Sequence, residues 1–127
     1  MEPNATLLAV AAALITAAYI GADLFMERYG RTVRRLRSTL ATKFASRTRA
    51  AAGAAGATNT PSWKAAAIVT MHAAVAEELA AYDLPPISVE TIQDAFEHTH
   101  GQVLPFAAKC AGHVVDCLPK PTLARFL

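Results

Sequence analysis

The sequence predicts an all-α protein: a single N-terminal transmembrane helix that continues into a basic amphipathic helix, then a small bundle of about three short helices. Three observations predict it. The twenty residues from Pro3 to Ala22 carry no charge. Eight Lys and Arg, and no acid, follow between residues 28 and 59. Beyond them apolar residues recur at helical spacing between proline and glycine stops, and no stretch alternates as a strand would. The expected divisions are an anchor at 1–26, a basic helix at 27–49, a flexible linker at 50–62, a helical domain at 63–118 and an apolar docking tail at 119–127.

The anchor is justified by length. Twenty residues at ~1.5 Å each span about 30 Å, the thickness of a hydrocarbon core. Glu2 and the lack of any base before the apolar run are wrong for a cleaved signal peptide, so an uncleaved span is expected. A buried helix of a soluble bundle would leave the abrupt charge step from Asp23 to Arg28 without a reason. All nearby positive charge lies after the span, which predicts the body on the positive-inside face, cytoplasm or mitochondrial matrix, with the N-terminus outside. Ala5, Ala9, Ala13, Ala17 and Gly21 recur every four residues. Such a row lets a second helix approach closely in lipid, where dispersion contacts drive association.

The basic helix follows from a second pattern. Tyr29, Val33, Leu36, Leu40 and Phe44 form one apolar stripe, and Arg28, Arg31, Arg34, Arg35, Arg37, Lys43 and Arg47 fill much of the rest. Gly30 is a candidate bend. Three readings compete for the cations: anionic phospholipid headgroups with the stripe dipping into the interface, acidic groups on a partner subunit, or nucleic acid. The last lacks an aromatic stacking platform or a recognisable module, so no nucleic-acid partner is expected.

The linker "TRAAAGAAGATNTPS" holds small residues and two glycines. Thr60 is placed to cap a helix beginning at Pro61 and running to about Tyr82, with Ile68, Met71, Val75, Leu79 and Tyr82 as its apolar face. Pro85 and Pro86 are expected to end it. Ser88 reads as the next N-cap, flanked by Ile87 and Ile92 as a hydrophobic staple, with Phe96 inward and Gly101 as stop. A last helix from Pro105 to about Leu118 would turn Phe106, Cys110, Val114 and Cys117 inward. In "PKPTLARFL" two prolines bar a helix at the start, and Leu123, Phe126 and Leu127 form an apolar tail expected to dock.

Composition narrows function. The 127 residues are 54% apolar, but alanine supplies much of that, with one Trp, three Tyr and five Phe. A core built from these is thin and invites contacts from lipid or partners. Net charge divides into −3 over residues 1–27, +8 over 28–59 and −3 over 60–127. Cys110 and Cys117 stand seven residues apart; on a helix that is about 10 Å, beyond the ~7 Å limit for a disulfide. With His113 they are the best candidate metal ligands, but two helical turns separate the thiols and no metal site or cofactor is expected. His98 and His100 point to different sides of a helix, and Glu77 and Glu78 diverge. No Gly-rich phosphate loop or Ser/His/Asp set is present, so no catalytic residue, small-molecule substrate or enzymatic activity is expected.

In layout the chain resembles the accessory subunits of mitochondrial respiratory-chain complexes and ATP synthases: one span, a basic collar and a small amphipathic body. That resemblance implies a non-catalytic structural subunit of the mitochondrial inner membrane, bridging other membrane subunits of a hetero-oligomeric complex. A modest anchor followed by basic residues is also similar to mitochondrial outer-membrane import receptors, which implies a receptor or adaptor. "VAEELAAYDLPPISVETIQDAFEH" resembles the final helices of some phage holins, which implies a single-span pore former.

Overall fold

Alanine loses the least on entering a helix, and no proline falls between Ala5 and Ala55. In the computed structural model, which describes residues 3–127 with the side chain of Pro3 excepted, this stretch lies within one helix, α1, Pro3–Ala55. Met1 and Glu2 of the expected anchor lie outside the described residues. At ~1.5 Å per residue α1 is about 80 Å long. It runs unbroken through Gly30 and takes residues 50–55 from the expected linker. The helix continues there because the segment is mostly alanine and because Ala52 is fully buried against the body. Gly56 leaves the helix. A Cβ there would stand 2.9 Å from Thr60 Oγ1, so only glycine fits the turn without a shift.

Four further helices follow: α2 Pro61–Ala80, α3 Val89–His98, α4 Val103–Cys117 and α5 Lys120–Ala124. Thr60 caps α2 as expected. Its hydroxyl accepts from Trp63 N–H at 3.3 Å and donates to the Ala57 carbonyl at 2.7 Å. The end of α2 is set before the prolines. Asp83 adopts a left-handed φ of 57°, and the Leu84 N–H turns back to the Leu79 carbonyl at 3.0 Å. Ser88 caps α3, its hydroxyl accepting from Thr91 N–H at 3.2 Å. At the far end His100, φ 54°, and Gly101, φ 69°, both take left-handed positions, and Gly101 stops the helix as expected with its N–H on the Phe96 carbonyl at 3.0 Å.

Two expectations about the last segments change. Cys110 is buried but Cys117 is exposed, because it falls at the last residue of α4 beyond the packed face. The prolines of "PKPTLARFL" admit α5: Pro121 sits in its first turn, where its missing N–H costs no hydrogen bond.

The core lies along one side of the second half of α1. Leu40, Phe44, Ala45, Thr48 and Ala52 of α1 are buried under α2 and α4, with Met71, Val75 and Leu79 from α2 and Phe106, Cys110 and Val114 from α4. Ile92 and Phe96 bring α3 in. Phe96 packs edge-on to Phe106, ring centroids 5.3 Å apart, and tilted to Trp63 at 6.0 Å. His72 Nε2 lies 3.0 Å from the Ile87 carbonyl and ties the α2–α3 connection to α2.

Candidate functional site

The first half of α1 meets nothing else in the chain until residues near its exit from the apolar run. Its most apolar 18-residue window has mean hydropathy 2.0, with none of its residues buried. Leu7, Leu8, Leu14, Ile15, Ile20 and Leu24 are all exposed and point in every direction around the helix. This one helix is long and apolar enough to cross a membrane, as a single-pass protein requires. Ala5, Ala9, Ala13, Ala17 and Gly21 all lie on open surface, and a Cβ on Gly21 would meet no atom within 4 Å.

The second half of α1 separates the cations into two groups. Lys43 reaches Glu78 of α2, and the Arg47 guanidinium donates to both carboxylate oxygens of Glu77 at 2.5 and 2.8 Å. The Arg47 hydrogen bond holds the Glu77 carboxyl below the usual carboxylate range, and the same bond raises Arg47. These two cations therefore hold α1 to α2. The remaining five, Arg28, Arg31, Arg34, Arg35 and Arg37, point outward; Arg31 lies 3.5 Å from Glu27 one turn before it. Of the stripe, Leu40 and Phe44 are buried in the core, and Tyr29, Val33 and Leu36 pack half-buried against it, so the stripe faces the chain's own body instead of dipping into a membrane interface.

The tail divides likewise. Leu123 is buried in the chain's own core, while Phe126 and Leu127 remain 45% and 40% exposed. Both sit beside Arg28, Arg31 and Arg35. Sequence reasoning named these cations and these apolar residues separately; it had no means of seeing that the fold brings them together, nor that Thr32 joins them. It also passed over Arg49, which lines a cleft of about 710 Å³ at the opposite end of the body with Asn59, Trp63, His100 and Gln102.

The candidate ligands do not gather. Burial pushes the Cys110 thiol up to about 12, which makes it unreactive at neutral pH. His98 Nδ1 lies 2.7 Å from the Asp94 carbonyl of its own helix. Among the described residues no three His, Cys, Asp or Glu side chains are placed to hold one metal ion. No protein-family model, curated protein or solved structure matches this chain.

Proposed function

We propose that this protein is a non-catalytic, membrane-anchored accessory subunit that bridges other subunits of a larger membrane complex. One observation carries the reading: the helix that lies uncovered and apolar over its first half is, over its second half, the spine of the folded body. A protein built this way fixes a small domain at a set height and angle above a bilayer. The row from Ala5 to Gly21 suits close packing on a second span, and five outward arginines suit acidic partner surfaces or anionic phospholipids. The charge step after Ala22 favours the body on the positive-inside face, with the N-terminus outside. The layout is that of supernumerary subunits in the mitochondrial inner membrane, in a respiratory-chain complex or ATP synthase.

Two measurements on the full chain in its native membrane test this. After alkaline carbonate extraction the protein should stay in the membrane pellet, and a native gel in gentle detergent should show it in an assembly well above its monomer mass. Replacing Ala13 and Ala17 by Leu should release it from that assembly while leaving it in the pellet. Release by carbonate, or migration as a free monomer, would overturn the reading. Orientation is read by a membrane-impermeant maleimide, since Cys117 is exposed and Cys110 buried. Labelling is expected only from the positive-inside face.

A further inference from the structure

Two small pockets meet where α1 leaves its apolar stretch. One, of about 270 Å³, is lined by Arg28, Arg31, Thr32 and Arg35 with Phe126 and Leu127. The other, of about 310 Å³, is lined by Gly21, Leu24, Phe25, Arg28 and Leu127. They share Arg28 and Leu127, and they differ in chemistry: three guanidiniums and a hydroxyl above, almost entirely hydrocarbon below. We propose that together they form a binding site for one anionic phospholipid, with the headgroup phosphate on the arginines and the upper acyl chain along Gly21, Leu24 and Phe25. This rests on the reading of α1 as a membrane span.

The helix itself places these residues on one face. At ~100° per residue, positions 21, 24, 25, 28, 31, 32 and 35 fall within about a third of a turn of one another. Side chains on an α-helix lean toward its N-terminus, which here is the lipid side. Arg28, Arg31 and Arg35 therefore reach down toward the headgroup layer from one to three turns above it, as snorkelling arginines do. Arg28 and Arg35 have no ion pair among the described residues, and Arg31 has only the 3.5 Å contact to Glu27, in which both partners are mostly exposed. Asp23, the other nearby acidic side chain, stands on the far side of the helix. Guanidinium forks match phosphate oxygens in pairs. The lower groove is open beside Gly21, where even a Cβ would meet no atom within 4 Å. Phe126 and Leu127, held in place by buried Leu123 and α5, supply the wall that a bare helix would lack.

The test uses the full chain reconstituted in phosphatidylcholine vesicles with trace spin-labelled lipids. Electron paramagnetic resonance then reports how strongly labelled phosphatidylglycerol is restricted relative to labelled phosphatidylcholine. The wild type should prefer phosphatidylglycerol by about fivefold, the factor one well-placed cation supplies near an anionic surface. R28Q/R35Q should remove that preference. R34Q/R37Q, with the same change in charge on other faces of α1, should retain it. F126A/L127A should weaken it with all arginines in place. Equal losses in both arginine pairs would mean a diffuse cationic collar and would overturn the site, as would a wild type with no preference. If no restricted lipid of either kind is seen, the failure lies deeper, in the span itself.

Discussion

Residues 3–28 and 29–55 belong to the same helix and are both rich in alanine, yet like side chains end in opposite environments. Leu14 is 66% exposed and Leu40 is 7% exposed. The difference is angular. In the first half leucines and isoleucines point all round the axis, so no single packing surface can cover them and no polar side is left for water. In the second half the large apolar residues keep to one stripe and arginines fill the remainder, so α2 and α4 cover the stripe while the cations stay wet. Each exposed leucine or isoleucine forgoes part of the ~1.5–3 kcal/mol that full burial would yield. The body supplies that burial for the second half; the first half is long and apolar enough for a bilayer to supply it.

The comparison predicts different responses to the same kind of mutation. Phe44 has no exposed surface, and its replacement by Ala should destabilise the body by about 3–5 kcal/mol through lost contact and cavity formation. Leu14→Ala should leave the body's unfolding unchanged. Thermal unfolding in detergent, followed by the fluorescence of buried Trp63, separates the two. Similar losses for both would mean that the halves are not energetically distinct.

A second prediction sharpens the contrast inside the body. Thr48 is fully buried, and its hydroxyl has no hydrogen-bond partner among the described residues. Val has the same shape without the unsatisfied oxygen, so Thr48→Val should raise stability by about 1 kcal/mol. A loss on substitution would point to a water or partner group held by the hydroxyl.

The smallest effect concerns the ion pair that fastens α1 to α2. The Glu77 carboxyl is held below its ordinary range by Arg47, so the pair contributes above the carboxylate's unfolded value and fades as pH falls through the depressed folded one. Wild type should therefore melt slightly above Glu77→Gln at pH 7, and the gap should close in acid. Because Glu77 is exposed, high salt should narrow it too. A gap that widens in acid would reverse the assigned sign.

Much of this architecture was legible in residue order. The charge-free run, the stripe from Tyr29 to Phe44, and the caps Thr60 and Ser88 are local patterns with local causes, and each stands where its spacing places it. The errors arose where a tertiary contact decided the matter. Residues 50–55 read as linker because small residues suit a joint, but Ala52 lies under the body and the helix holds. Lys43 and Arg47 look like the outward cations in sequence because their acids lie thirty or more positions away, on α2. The candidate lipid site was hidden for the same reason: Phe126 and Leu127 are about ninety positions from Arg35 and meet it only after α4 and α5 run back along α1.

The continuity of α1 through Gly30 turns the helix into a shaft. With no break between its apolar half and the body, rotation or tilt of that half is delivered whole to the far end, near Trp63. Slipping one extra alanine between Ala22 and Asp23 would swing the body by ~100° about the axis of the apolar half and move it by ~1.5 Å along that axis.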